Sequence, residues 1–164
     1  PVRWFSLSLI IKAMNDEDFM REALKSSQKA FEIGETPVGA VVVLEGKIIG
    51  RGFNQRERKH DVSSHAEIEA LREAGAAVGD WKLRGATIYV SLEPCLMCAS
   101  AIQQAHLFRI VYGADDLEEG AITSHHFIFN DPSISERPLV SRGVLAEESS
   151  ILLKKFFFNR RKKN

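Results

Sequence analysis

Two short motifs place the strongest constraint on what this chain can fold into. One is His65-Ala66-Glu67, and the other is Pro94-Cys95-Leu96-Met97-Cys98. A catalytic zinc takes three protein ligands and leaves its fourth position to water. His65, Cys95 and Cys98 are the predicted ligands, so two distant segments have to meet at one metal. Glu67 is then free to move protons for the bound water.

Each motif also has a simpler interpretation. Ser64 to Glu67 matches the capping box of a helix N-terminus. The two cysteines match a redox pair, or half of a structural zinc site that another histidine would complete. The other histidines are His60, His106, His125 and His126. The catalytic interpretation is favoured because the chain's only two cysteines follow a proline, about one βα unit after a His-x-Glu motif.

The composition indicates one globular domain without a global charge bias. The chain has 164 residues, with 22 basic and 22 acidic side chains and a formal net charge of zero. This balance gives no global argument for nucleic-acid binding, but it is compatible with a local basic patch. Two cysteines this close in sequence make a poor disulfide framework, and thiolate ligands need reducing conditions. We therefore expect a cytoplasmic protein.

The first residues are treated separately. Residues 4–11 form a short apolar run, far below the roughly 20 residues that span a bilayer. No membrane association is expected. An extra strand, a floppy extension, and residues upstream of the true start are three interpretations of this run. We expect residues 1–14 to be an extension without a catalytic role, and residues 15–164 to form the zinc-binding domain.

Periodicity and turn signals predict alternating helices and strands. Asn15 is the predicted cap of a first helix that ends at Gly34. The predicted strands are 38–44, 47–51, 87–91, 108–112 and 139–141, and the later helices are 65–74, 94–105 and 146–161. Residues 54–64 are a predicted loop, and Gly75 is the predicted stop of the second helix. This order predicts an α/β domain, with a mixed sheet and helices on its faces.

The two motifs fall at the N-termini of consecutive crossover helices in this arrangement. Such ends carry unpaired N–H groups and partial positive charge, which lowers the pKa of a cysteine and favours the thiolate. Consecutive helices that follow neighbouring strands can bring the imidazole within reach of both thiols, at the strand ends where α/β sheets hold their sites.

From Asp16 onward the chain resembles the bacterial tRNA-specific adenosine deaminases of the cytidine-deaminase-like superfamily. The matching stretches are 36–40 (TPVGA), 52–54 (GFN), 65–68 (HAEI), 89–99 (YVSLEPCLMCA), 111–116 (VYGADD) and 157–161 (FFNRR). The resemblance implies a three-layer α-β-α fold with a five-stranded mixed sheet. It also implies a homodimeric zinc hydrolase, with one Zn²⁺ per subunit, that converts adenosine to inosine at the anticodon wobble position.

The resemblance implies roles residue by residue. His65, Cys95 and Cys98 become the zinc ligands, and Glu67 becomes the proton shuttle. Asn54 matches an asparagine that contacts the substrate, and Val38 matches a pocket residue against the base. The remaining predicted substrate-binding residues in the matching stretches are Ala66, Pro94, Asp115 and Asp116.

Some positions depart from the family pattern. Glu118 stands where a lysine is usual, and Thr123-Ser124 where a Gly-Ser pair is usual. His125-His126 replaces a Leu-Met pair, and Ser135-Glu136-Arg137 replaces Asn-His-Arg. The resemblance places these positions in the segment that shapes the substrate side of the site. The two acidic replacements are unfavourable beside phosphates, which leaves the substrate open.

Three hypotheses follow. The first is deamination of a tRNA anticodon stem-loop, and the second is deamination of a free base or nucleoside, where His125 and His126 would contact a small substrate. The third is a noncatalytic zinc-stabilised binding module. The tail from Lys154 onward is basic and contains Phe156, Phe157 and Phe158. It fits either a phosphate-binding surface or a solvated helix end, and an apolar face at Ile102, Ala105 and Leu107 is a weak sign of dimerisation.

Overall fold

A computed structural model describes residues 13–163 of the chain. Residues 1–12, and with them nearly all of the predicted N-terminal extension, lie outside the described residues. The helices are α1 (Asp16–Glu32), α2 (Arg56–Lys59), α3 (Ala66–Val78), α4 (Leu96–Gln104) and α5 (Ala146–Arg161). The strands are β1 (Gly39–Leu44), β2 (Lys47–Phe53), β3 (Thr87–Leu92), β4 (Arg109–Ala114) and β5 (Leu139–Ser141).

The strands form one mixed sheet in the order β2-β1-β3-β4-β5. Strand β1 is antiparallel to both β2 and β3, whereas β3, β4 and β5 are parallel to one another. In the centre of the sheet Val90 of β3 pairs with Ala40 on one side and Tyr112 on the other. The predicted five-stranded mixed sheet is confirmed. Its parallel strands end together, next to the start of α4.

Alternating strand residues point to two apolar layers. One face of the sheet packs against α3 and α4, where Ala70, Ala99 and Ile102 are fully buried. The other face packs against α1, with Met20 and Ala23 buried, and α5 contacts β3 and β4 on the same side. Helices therefore cover both faces, and the predicted three-layer α-β-α architecture is confirmed.

The first helix begins as its sequence predicts. The side chain of Asn15 accepts a hydrogen bond from the Asp18 N–H at 2.9 Å, and the Asp18 carboxylate accepts one from the Asn15 N–H at 2.9 Å. These reciprocal bonds satisfy two amide groups that a helix N-terminus otherwise leaves unpaired. Gly34, at a φ of +80°, turns the chain after the helix end.

Several predicted element limits differ from the structure, and strands β2 and β4 each end two residues later than predicted. Helix α3 continues through Gly75 and ends before Gly79, whose φ of 72° closes it in the left-handed conformation. A glycine inside a helix costs only about 1 kcal/mol relative to alanine, so it does not have to end one. Helix α4 begins after Cys95 rather than at Pro94, and the predicted loop 54–64 contains the single turn α2. No helix within residues 13–163 combines the length and apolar character needed to span a bilayer.

Candidate metal centre and active site

Two close helix–strand contacts position the histidine motif. Helix α3 lies directly on β2, because Gly50 and Gly52 have no side chain there. A Cβ at Gly52 would overlap the carbonyl oxygen of Ala66 and lie 2.5 Å from the Ala70 nitrogen. Such close packing fixes the start of α3, and with it His65, relative to the edge of the sheet.

His65 and Cys95 occupy equivalent positions on two helices. Each is the extended N-cap residue of its helix, α3 or α4, and neither side chain makes a capping hydrogen bond. Both side chains are thus available to point towards each other. The alternative capping box is wrong, because the Ser64 hydroxyl donates instead to the Glu69 carboxylate at 2.7 Å.

The three predicted ligand atoms lie within 4.8 Å of one another. His65 Nδ1 is 3.6 Å from Cys95 Sγ and 3.6 Å from Cys98 Sγ. Tetrahedral zinc with its usual Zn–N and Zn–S bond lengths requires an N···S separation of about 3.6 Å. The site therefore has both the spacing and the borderline-soft donor set that suit zinc.

No other histidine of residues 13–163 belongs to this cluster. The closed structural site considered from the sequence therefore has no fourth protein ligand among the described residues. Three ligands leave one tetrahedral position for water or substrate, which is the arrangement of catalytic rather than structural zinc.

Of the three ligands, Cys95 is the one whose charge already suits a cation, while Cys98 and His65 release protons when a metal binds. The pKa of Cys95 is lowered to about 4, chiefly by a hydrogen bond from the Cys98 thiol and further by His65. The same contact with Cys95, together with burial, raises the pKa of Cys98. The hydrogen bond with Cys95 also raises the pKa of His65. A thiolate between two helix N-termini attracts a metal cation.

Glu67 lies in the first turn of α3 and is 4 % exposed. Burial raises its pKa to about 7. Glu67 lines the same cavity as His65 and Cys95. Its carboxyl group therefore lies beside the ligand cluster and is shielded from bulk solvent.

The ligand cluster opens into a cavity of about 1080 Å³. One wall is the turn after β4, from Asp115 to Glu119, and it is acidic. A second wall is the C-terminal half of α5, and it is basic and aromatic. The α5 residues that line the cavity are Leu153, Lys154, Lys155, Phe157, Phe158, Arg160 and Arg161.

The structure brings most predicted substrate-binding residues to this cavity. Val38, Asn54, Ala66, Asp115 and Asp116 line it. The Asn54 side chain is fixed at both ends, since its Nδ2 donates to the Thr36 carbonyl at 3.3 Å and its Oδ1 accepts from the Arg56 N–H at 3.2 Å. Pro94 is not among the lining residues. It is fully buried, and its carbonyl accepts a hydrogen bond from the Ala121 N–H at 2.9 Å.

The departures from the family pattern are distributed differently from the prediction. Glu118 lines the cavity, next to Glu119. Glu136 does not, because it pairs with His106 and Arg84 in a separate small pocket. His125 lies with its Nε2 2.6 Å from the Leu117 carbonyl oxygen, and neither His125 nor His126 is among the residues lining the cavity.

Sequence reasoning missed two buried carboxylates near the site. Glu35 is 2 % exposed, and its Oε1 accepts the Arg58 N–H at 2.7 Å. Glu93 is also 2 % exposed. Although burial favours its neutral form, hydrogen bonds from Ser124 and from the Thr123, Ser124 and Asp116 amides lower its pKa to about 2. The available signal was position alone, since Glu35 directly precedes the matching stretch 36–40 and Glu93 lies within the matching stretch 89–99.

Comparison with known proteins agrees with this geometry. The model of the cytidine and deoxycytidylate deaminase zinc-binding region matches residues 13–114. The tRNA-specific adenosine deaminase of Bacillus subtilis (strain 168) is 42% identical over 148 residues, which cover 90% of this chain and 92% of the relative. That of Haemophilus influenzae is 43% identical over 152 residues, covering 92% and 88%.

A solved structure gives the same assignment. It comes from a study of A-to-I editing by tRNA:A34 deaminases at the wobble position of transfer RNA. The TM-score is 0.80 at 43% identity, over 82% of this chain and 98% of that one. The chain belongs to the cytidine and deoxycytidylate deaminase zinc-binding family, and within it to the tRNA-specific adenosine deaminases.

Proposed function

We propose that the protein deaminates adenosine to inosine at the wobble position of a tRNA anticodon. The observation that carries this proposal is the cavity, which is lined both by His65 and Cys95 of the ligand cluster and by the basic and aromatic end of α5. Its volume of about 1080 Å³ slightly exceeds the usual range of small-molecule pockets, about 300–1,000 Å³. A nucleotide with its neighbours needs such an open site.

The reaction consumes one water molecule and releases ammonia. Zinc held by His65, Cys95 and Cys98 supplies Lewis-acid activation of water, whose pKa falls towards neutrality. Glu67 takes one proton from the attacking water and passes it to the ring nitrogen. It then passes the second proton, from the new C6 hydroxyl group, to the leaving amine. The attack at C6 of the base and the loss of the amine convert adenosine to inosine.

Residues of α5 supply the groups that recognise RNA in this proposal. Lys154, Arg160 and Arg161 of α5 supply positive charge for phosphates. Phe157 and Phe158 remain 43% and 57% exposed, and exposed aromatic rings stack on unpaired bases. Asn54 and Val38 line the same cavity, and in this proposal they contact the reacting nucleoside.

Deamination of a free base or nucleoside is the second candidate. Glu118 and Glu119 favour it, because carboxylates repel a phosphate backbone. The basic residues of α5 line the same cavity, however, so the phosphates of one RNA strand can follow them and stay away from the carboxylates.

Ammonia release by the zinc-loaded protein separates the two candidates. The substrates are an anticodon stem-loop with adenosine at the wobble position, the same stem-loop with guanosine there, and a panel of free bases and nucleosides. We expect turnover of the first stem-loop alone. Turnover of a free base or nucleoside with an inert stem-loop would establish the second candidate. Release of no ammonia from any of them would support the binding-module hypothesis.

We also propose that the protein is a homodimer, as its family resemblance implies. The face at Ile102, Ala105 and Leu107 does not support this proposal, because Ile102 and Leu107 are buried in the core and Ala105 packs against it. Light scattering tests the proposal directly, with an expected mass of twice the 18.4 kDa of one chain. A mass of one chain at micromolar concentration would contradict it.

A further inference from the structure

Glu93 is a buried carboxylate that the deamination chemistry does not use. It follows the last residue of β3 and precedes Cys95 by two positions. Burying a charged carboxylate is costly unless several donors surround it. The contacts that offset this cost all come from one segment of the chain, residues 116–124.

Both carboxylate oxygens are saturated with donors. Oε1 accepts the amide N–H groups of Ile122, Thr123 and Ser124 at 3.1, 2.7 and 3.0 Å. Oε2 accepts the Asp116 N–H at 3.0 Å and the Ser124 hydroxyl. Hydrogen bonds to a charged acceptor are about twice as strong as neutral ones. The Glu93 side chain thus supplies hydrogen-bond acceptors for backbone N–H groups of a segment that has no helix or strand to pair them.

Further contacts hold the same segment against the metal-binding loop. Gly120 pairs with Cys95 in an isolated β-bridge, and the Ala121 N–H donates to Pro94. A Cβ at Gly120 would overlap the Glu93 carboxylate, so the glycine permits the close approach. The Thr123 hydroxyl adds a link between Glu93 and the hydroxyl of Tyr112 on β4.

The clamped segment builds the acidic wall of the cavity. Asp115 through Glu119 line the cavity. The Glu93 contacts hold the longer segment 115–124 near both of its ends, at Asp116 and at residues 122–124. We propose that Glu93 is a positioning residue, which fixes the 115–124 segment as a rigid wall of the cavity and so sets substrate affinity rather than the rate of deamination. The affinity part of this proposal rests on the proposed function.

The test uses the full-length, zinc-loaded protein and the variant Glu93→Gln. An amide keeps the shape but replaces one acceptor oxygen with a donor, which opposes the Asp116 N–H. We expect faster hydrogen exchange at the amides of residue 116 and residues 122–124, with one zinc per chain retained. For the stem-loop, we expect KM to rise about tenfold, the usual effect of losing one hydrogen bond to a charged group, and kcat to change much less.

Two further variants keep the proposal falsifiable. Thr123→Val removes only the hydroxyl links, so its exchange and KM effects should have the same sign and be smaller. Glu35→Gln alters the other buried carboxylate and should leave exchange at 116 and 122–124 unchanged. Unchanged exchange in Glu93→Gln, or a fall in kcat with KM unaltered, would overturn the proposal. Exchange and zinc content need no substrate, so they are informative even if the stem-loop proves inert.

Discussion

In the proposed mechanism, Glu67 is the residue on which the chemistry depends most directly. It is buried beside the ligand cluster but is not one of the three predicted ligands, so its substitution should separate catalysis from metal binding. We expect Glu67→Gln to retain zinc and to lose at least about 10²-fold in kcat, the usual minimum contribution of a general acid–base group. Ammonia release and zinc content measured on the same sample check this expectation. Turnover near that of the wild type would remove Glu67 from the mechanism.

Metal removal should destabilise the whole domain. Three ligands from the starts of α3 and α4 converge in a site that exists only in the folded chain, so zinc binding adds to folding stability. At free zinc of a hundred times its Kd, this linkage gives about 2.7 kcal/mol and a Tm increase of roughly 5–10 °C. Melting curves with chelator and after zinc is restored measure the difference. Cys98→Ser should abolish most of it, and a chelated protein with an unchanged Tm would contradict the assignment.

At the residue scale, the sequence could predict the parts of the site that local spacing encodes. Two compact motifs contain His65, Glu67, Cys95 and Cys98, and their chemistry can be recognised from the sequence alone. Glu93 could not be assigned in this way, because its partners lie 23 to 31 residues further along a segment without regular periodicity. A glutamate near a loop is ordinarily solvated, and only the folded chain shows that this one is not.

At the element scale, the contact between β2 and α3 determines where the start of α3, and with it His65, lies relative to the sheet. We expect Gly52→Ala to push α3 away from the sheet, since the new Cβ overlaps the Ala66 backbone. Overpacking of this kind costs about 1–3 kcal/mol. His65 directly precedes Ala66, so zinc affinity should fall as well. Denaturant unfolding and zinc titration measure the two effects.

Gly75→Ala provides the matched control for that substitution. It places the same methyl group on α3, where the nearest heavy atom is the Asp80 carbonyl oxygen at 3.3 Å. Alanine is the better helix former by about 1 kcal/mol, so stability should be kept or increased and zinc affinity unchanged. Equal loss of zinc affinity in both variants would show that the contact with β2 does not position the histidine.

A second link between elements ties α1 to the sheet. Asp16 accepts two hydrogen bonds from Arg109 at 2.9 and 2.7 Å and one from Tyr89 at 2.7 Å. The bonds from Arg109, with that from Tyr89, lower the pKa of Asp16 below its ordinary value of 3.8. A lowered pKa means that the stabilisation is complete above pH 4 and is lost as the pH falls through the folded-state pKa.

The variant Asp16→Asn measures this link. It should be less stable than the wild type by about 1 kcal/mol at pH 6, a modest value because the pair is partly solvated. The difference should shrink between pH 4 and pH 2. Urea unfolding of both proteins over this range is the measurement, and a difference that does not change with pH would show that the charge of Asp16 contributes nothing.

The helix boundaries show where sequence prediction of elements succeeds. The start of α1 and the limits of α5 were predicted correctly, since Asn15 and its acidic turn, and the long apolar–basic run, are local signals. The end of α3 was wrong because a glycine permits a chain reversal without requiring it. Gly75 continues the helix, and Gly79 ends it at positive φ. Tertiary packing determines which of the two glycines ends the helix, and the local sequence carries no signal for that packing.

For the whole molecule, a formal net charge of zero conceals a separation of charge across one cavity. The acidic turn 115–119 and the basic end of α5 line the same cavity. The composition alone gives no argument for a nucleic-acid substrate, whereas the folded surface offers a basic wall. Only the fold places Lys154, Arg160 and Arg161 on the same cavity as the metal ligands. The charge that matters for recognition is the local one, because salt screens interactions beyond about 10 Å.

This separation predicts a distinct salt dependence for the two kinds of substrate. If α5 contacts the phosphates of the stem-loop, each basic residue lost should reduce the slope of log affinity against log salt by about 0.7, the value for single strands. The double variant Arg160→Gln/Arg161→Gln should therefore lower the slope by about 1.4. The control Lys29→Gln/Lys47→Gln removes the same charge from exposed residues that do not line the cavity. Equal slopes for the two double variants would show that α5 does not contact the RNA phosphates. A lower slope in the Arg160/Arg161 variant alone would establish that the chain, although neutral overall, binds RNA through the basic residues of α5.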